Sequence, residues 1–378
     1  MQRVRIQKTA TAGVALAAVA VLAACSSSGS GSGSSSSSPK ASSSSSAAAA
    51  KLSGTLNASG STFQTTFQQA AIQAFKAEQP GLTVNYGGGG SGKGRTDLSS
   101  GVVNFAGSDS PIPAKEASNF KGKTILYFPV VIGPIALSYN LSGVSNLKLD
   151  GPTIAKIFQG EIKTWSDPAI KALNPSAKLP STAITVARRS DSSGTTQNFS
   201  QFLVDAAPGV WKLGTSSTIN WPSGTRGGSG NGGVDSIVKS TPGAIGYVDF
   251  SDAKASNLSM ASVKNQSGAF IAPSASAASA AASQATVKSD LTFSAIWAPG
   301  ASSYPVTYQS WDLVNAAQSS STTTANLKGY LGYLLGDGQK LLPELNYAPL
   351  PANIDKMAIA QLSKIGSGAA AAPSSASS

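Results

Sequence analysis

"ITVARRSDSSGTT", residues 184–196, reads as the end of a strand, a polar turn and the opening of a helix. Residues 183–187 alternate as a strand, and 195–204 carry a helical pattern. Between them stand Arg188, Arg189, Ser190, Asp191, Ser192, Ser193 and Gly194. A helix N-terminus presents free backbone N–H groups and the positive end of its dipole. Serine and threonine hydroxyls add donors with little bulk, and Arg189 offers a charged fork for two oxygens. In open α/β folds, ligands sit beyond the carboxyl ends of strands.

Three more junctions have the same form. Residues 56–59 are a short extended run that leads through Gly60, Ser61, Thr62 and Phe63 into a helix. That helix is marked by Phe67, Ala70, Ala71, Ala74 and Phe75, ends at Gln79-Pro80, and takes Ser61 or Thr62 as its N-cap. Residues 82–86 alternate as a strand and run into Gly90-Ser91-Gly92; residues 102–106 form another and run into Gly107-Ser108-Asp109-Ser110. The apolar run 127–139 is interrupted by Gly133-Pro134, and 244–250 is strand-like. Strands alternating with helices predict an α/β protein with mixed sheets.

Taken singly, each junction has an ordinary reading: a helix cap, a glycine turn, an Asx turn at Asp109, solvated arginines. Taken together, they are a donor-rich cage for a small oxyanion. Gly87, Gly92 and Lys93 have P-loop spacing, but Gly94 stands where a magnesium-binding Ser or Thr is needed. Ser91 is then the working residue of the glycine turn. Lys93 and Arg95 are open to two readings, anion-drawing groups at a cleft mouth or solvated side chains.

Composition narrows the chemistry. The 378 residues contain no histidine and a single cysteine, which removes the usual zinc, copper and thiolate sites and imidazole-based catalysis. No metal and no cofactor is expected. The formal charge of +11 is spread without a basic tract interleaved with aromatics, so a nucleic-acid partner is not expected. Residues 1–24 combine Arg3, Arg5 and Lys8 with an uncharged apolar run, the pattern of an export signal. Leu22-Ala23-Ala24-Cys25 resembles the lipobox of bacterial lipoproteins, in which the cysteine is lipidated. The Ser/Gly/Ala-rich segment 25–51 reads as a tether and 367–378 as a frayed tail. The Ala/Ser stretch 272–286 is taken as a helix or a surface loop.

GSTF (60–63), NYGGGGSG (85–92), NFAGSDSP (104–111) and ITVARRSDSSGTT (184–196), in that order, resemble the phosphate-binding lipoproteins and periplasmic proteins that feed the bacterial ABC phosphate importer. FPVVIGPIALSYN (128–140), IFQGEIKTWSDPAI (157–170), TPGAIGYVDF (241–250) and LNYAPLP (345–351) extend the resemblance over about 56–358. It implies a two-lobed periplasmic binding protein fold of type II character, with the ligand in a cleft between lobes joined by two hinge strands. Lobe I would be 52–140 with 308–366, and lobe II 141–307, crossing at Asn140 and near Thr307 to Ser310. It also implies a phosphate site of Thr62, Phe63, Ser91, Asp109, Arg189, Asp191, Ser193, Gly194 and Thr195, with no catalytic residue. The implied partners are inorganic phosphate and the permease and ATPase subunits of the importer. The implied location is the extracytoplasmic face of the cell membrane, anchored through Cys25. A secreted phosphatase-like hydrolase is the competing class, and the missing histidine weighs against it.

Asp109 is the informative member of that set. A carboxylate facing an anion repels it unless the anion brings a proton to share. Phosphate near neutral pH carries one or two protons and sulfate carries none. One acceptor among many donors therefore selects phosphate.

Overall fold

The computed structural model describes residues 51–367. The expected export signal, Cys25, nearly all of the tether and the tail beyond Ser367 lie outside the described residues.

In chain order the elements begin with β1 (Gly54–Gly60), α1 (Thr65–Glu78), β2 (Leu82–Gly89), α2 (Ser91–Ser99), β3 (Phe105–Ser108) and β4 (Ile125–Tyr139). Then come β5 (Lys148–Leu149), α3 (Gly151–Phe158), α4 (Pro168–Leu173), β6 (Thr185–Arg189), α5 (Gly194–Ala206), β7 (Arg226–Gly228) and α6 (Gly230–Ser240). β8 (Ala244–Asp249), α7 (Phe250–Ala255), β9 (Ser259–Met260), β10 (Ser262–Lys264), β11 (Phe270–Ile271) and α8 (Ala275–Ala282) follow. β12 (Thr307–Asn315), α9 (Ser321–Leu335) and α10 (Ala352–Gln361) complete the set, with short 3-10 turns between.

The main sheet has the order β2-β1-β3-β12-β4-β8-β6-β7, with β9 on the far part of β4. β1 runs parallel to both β2 and β3, and β6 parallel to both β7 and β8. β12 and β8 are antiparallel to β4. The two parallel groups each place strand-to-helix junctions at one end, which is where the glycine- and serine-rich loops lie.

β4 joins the two groups. Ile125 to Pro134 pair with β12, and Ile135 to Tyr139 pair with β8. The sequence suggests a break at Gly133-Pro134; instead the strand is continuous. Pro134 sits where the ladder changes partner, the position at which a missing backbone N–H disturbs pairing least. The change of partner therefore falls within β4, ahead of Asn140. Phe128, Val130, Val131, Ile132, Ile135 and Leu137 are all fully buried, as expected of a strand covered on both faces.

One local expectation is corrected and one is decided between its two readings. α1 starts at Thr65, and its N-cap residue is Gln64, which makes no side-chain capping bond. The Ser61 hydroxyl is committed to Asp109 instead. Of the two readings of 272–286, the helix holds over Ala275–Ala282: Ala277, Ala278, Ala281 and Ala282 of α8 are buried, and the helix packs on β4 and β12. Small side chains allow that close approach.

Candidate anion-binding site

The ends of β1, β2 and β3 deliver Ser61, Thr62, Ser91 and Asp109 to one edge of the sheet, and β6 delivers Arg189 with the start of α5 opposite them. The two sets touch. Gly92 N donates to the Ser192 carbonyl at 3.0 Å, and Asn198 Nδ2 donates to the Asp109 carbonyl at 2.6 Å. Asn231 N, at the start of α6, donates to Thr62 Oγ1 at 3.4 Å. At Gly194 a side-chain carbon would stand 2.3 Å from Ser91 Oγ, so only glycine permits this approach. The structure thus brings all nine expected residues, from Thr62 to Thr195, into one cluster.

Their states differ. Gly194 and Thr195 begin α5, so their amides have no intrahelical acceptor, whereas Thr196 N donates to the Ser193 hydroxyl at 3.1 Å. Ser193 is the N-cap. Phe63 enters through its backbone. Its ring is fully buried and stacked on Tyr308 with centroids 4.1 Å apart, and its amide donates to Ser61 Oγ at 3.1 Å.

Arg189 is held as a fork by Asp191. Nε donates to Oδ1 at 2.8 Å, and Nη2 pairs with Oδ2. Nη1 reaches Thr195 Oγ1 and Asn231 Oδ1, both at 3.3 Å. Burial disfavours the Asp191 carboxylate, yet the Arg189 hydrogen bonds and charge, with the Gly230 amide, hold its pKa below the ordinary value. Asp191 therefore orients the guanidinium and tempers its charge.

Asp109 is buried among hydroxyls. Ser310 Oγ donates to Oδ1 at 2.6 Å, Ser61 Oγ donates to the same oxygen, and Ser91 Oγ donates to Oδ2 at 3.2 Å. Burial pushes its pKa above the usual carboxylate value; Ser310, Ser61, the Arg189 charge and Ser91 pull it back in part.

Four members were not found from the sequence. The sequence offers Ser61 within its junction loop as a cap, not as a partner of Asp109. Asn231 lies in the run SGNGG (229–233), whose strand-glycine-helix form is the same signal as the other four junctions. Its Nδ2 is buried without a hydrogen-bond partner, and so is the Tyr308 hydroxyl. Ser310 and Tyr308 lie within a strand and carry no local signal.

Neither Lys93 nor Arg95 behaves as a free surface cation. Lys93 pairs with Asp97 one helical turn on. Arg95 is fully buried, gripping Glu116 through Nε at 2.6 Å and Nη2 at 3.0 Å. Its Nη1 donates to Ser108 Oγ at 3.1 Å and Ser110 Oγ at 3.2 Å, bracing the loop that carries Asp109. Among the described residues no group of three or more His, Cys, Asp or Glu side chains is placed to hold a metal ion, and no helix is long and apolar enough to cross a membrane.

Residues 45–337 match the family model of the PBP superfamily domain. Over 309 residues the chain is 38% identical to phosphate-binding protein PstS 3 of Mycobacterium tuberculosis, covering 79% of this chain and 83% of that protein. The chain belongs to the PstS family of phosphate-binding proteins. Its PstS relatives include that of Haemophilus influenzae, 34% identical over 308 residues and covering 80% of this chain and 90% of that protein. Among solved structures, a putative phosphate ABC transporter substrate-binding protein with bound phosphate from Clostridium perfringens superposes with a TM-score of 0.60 at 19% identity, over 79% of this chain and 100% of that one. That likeness is one of fold: the mixed α/β architecture with its curled sheet is that of two-lobed periplasmic phosphate-binding proteins.

Proposed function

We propose that this PstS-family chain captures inorganic phosphate outside the cytoplasm and delivers it to the permease of an ABC importer, through the nine residues from Thr62 to Thr195. The observation that carries the reading is Asp109. It is a single buried acceptor placed against the Arg189 fork and the open amides of α5. An anion held there is stripped of water and bound by donors on all sides, with one contact that requires a hydrogen on the anion. Phosphate supplies that hydrogen; sulfate places two negative groups face to face.

The binding role requires a cage and no general base, and the cluster contains no imidazole, so capture without chemistry is the role assigned. Residues 52–134 with 308–366 act as one lobe and 135–307 as the other, a crossing ahead of the expected Asn140, and the hinge runs through β4 where its pairing changes and through the start of β12. Closure by hinge motion presents the loaded form to the permease and its ATPase. Cys25 is the lipid anchor that holds the chain at the extracytoplasmic membrane face.

Isothermal titration of protein freed of carried-over ligand tests the reading. One phosphate per chain near neutral pH, with sulfate bound far more weakly, supports it; equal uptake of the two anions, or none of phosphate, contradicts it.

A further inference from the structure

Three hydroxyls surround Asp109, and each has its direction fixed by a second group. Ser91 Oγ accepts from Asp109 N at 3.1 Å, so its proton is left for Asp109 Oδ2. Ser61 Oγ accepts from Phe63 N at 3.1 Å, so its proton is left for Oδ1. Ser310 Oγ accepts from Gln64 Nε2 at 2.7 Å and passes its proton to Oδ1 at 2.6 Å. The Gln64 amide cannot be turned round, because the same Nε2 also donates to the Trp311 carbonyl at 3.0 Å, and a carbonyl only accepts. Its Oε1 in turn accepts from Gln68 Nε2 at 2.9 Å. All of these side chains are buried.

We infer that Ser310, aimed by Gln64, is a positioning residue that holds Asp109 as an ionised acceptor and so sets the preference for a protonated anion over an unprotonated one. This inference rests on the phosphate-capture reading and deepens it. A protonated Asp109 would donate to the anion and would accept sulfate; an ionised one refuses it. With Ser61 and Ser310 both on Oδ1 and only Ser91 on Oδ2, the open lone pair is on Oδ2, the oxygen nearest Gly194. The other groups that act on Asp109 are the Arg189 cation, which favours the ionised form, and the Tyr86 and Tyr308 phenols, which are neutral in this range. Arg95 holds the neighbouring Ser108 and Ser110. Removing Ser310 takes away one neutral donor and leaves each of these charges in place.

The test measures sulfate and phosphate binding to wild-type, Ser310→Ala and Gln64→Met proteins across about pH 5 to pH 8. Sulfate carries no titrating proton there, so its pH profile reports protein groups only; Asp252, which burial raises to about 7 near Arg189 and Thr62, contributes equally to wild type and variants, and the difference between them reports Asp109. Ser310→Ala is expected to move the onset of sulfate binding to higher pH and to lower the phosphate-over-sulfate ratio about tenfold at the acid end, the effect of one hydrogen bond to a charged group. Gln64→Met is expected to shift the same onset in the same direction, since the Ser310 hydroxyl is then free to turn away. Thermal unfolding of each variant confirms that it is folded. Wild-type protein that takes up no phosphate overturns the capture reading itself. Wild-type protein that binds phosphate, with both variants keeping the wild-type sulfate profile, overturns the role of Ser310 alone. A shift in Ser310→Ala without one in Gln64→Met keeps the donor and overturns its aiming by Gln64.

Discussion

Gly194 and Asp109 meet face to face: a side-chain carbon on Gly194 would stand 2.6 Å from Asp109 Oδ2. The start of α5 and the end of β3, from opposite parts of the sheet, are thereby fixed against each other at the carboxylate proposed to read the anion. Gly194→Ala places a methyl group in that contact. It should weaken phosphate binding by about tenfold or more, the effect of overpacking by about 1–3 kcal/mol. A calorimetric affinity equal to wild type would show that the contact is not part of the bound state.

Arg189 should matter more than any one hydroxyl. It carries the only charged fork in the cluster, and Asp191 and Asn231 hold it in place. Arg189→Ala should cost more binding free energy than Ser91→Ala, by roughly 1–2 kcal/mol on the scale of charged against neutral hydrogen bonds. Arg189→Lys keeps the charge but not the fork, and should fall between them. Titration of the three variants with phosphate gives the order, and an unchanged dissociation constant in Arg189→Ala removes the residue from the site.

Arg95 should stabilise the fold at the loop that carries Asp109. Replacing it by Met leaves Glu116 without its fork and the Ser108 and Ser110 hydroxyls without a donor. The expected loss is about 2–4 kcal/mol, the range for breaking a buried ion pair from one side, discounted because Glu116 retains some solvent access. Urea unfolding measures it. A loss below about 0.5 kcal/mol would place Arg95 among ordinary surface ion pairs.

The junction loops were legible because their signal is local: a short apolar run, a glycine, then serine, threonine or aspartate at a helix start. Ser310 was not, since it lies mid-strand and meets Asp109 only through the pairing of β12 with β3. Arg95 and Glu116 were not, because a charge is read as solvated until the fold supplies its buried partner. The choice between helix and surface loop for 272–286 stayed open for the same reason: burial of small residues is decided by what they lie against. Strand order and the continuity of β4 are set by long-range ladders that no local pattern records.

Acidity should stabilise the ligand-free protein over a defined window. Burial pushes Asp312 up to about 7, with Gln68 and Gln64 partly offsetting it. Burial also raises Asp109 and Asp249, the latter helped by the nearby Asp252 charge. Unfolded carboxyls titrate near about 4. Between about pH 4 and about pH 7 the folded state therefore holds more protons than the unfolded state, and stability falls as pH rises. The urea midpoint should be higher at about pH 5 than at about pH 8, and Asp312→Asn should flatten the slope. A midpoint that rises with pH across this window contradicts the assignment.

The acceptor role of Asp109 is tested most directly by Asp109→Asn, titrated with phosphate and with sulfate at one neutral pH. Asparagine keeps the shape but brings an N–H donor in place of a charge. Phosphate should bind more weakly and sulfate more tightly, so that their ratio drops by roughly tenfold to a hundredfold. Losing both anions to the same degree, with the ratio unchanged, would mean that Asp109 holds the loop in shape and reads nothing on the anion.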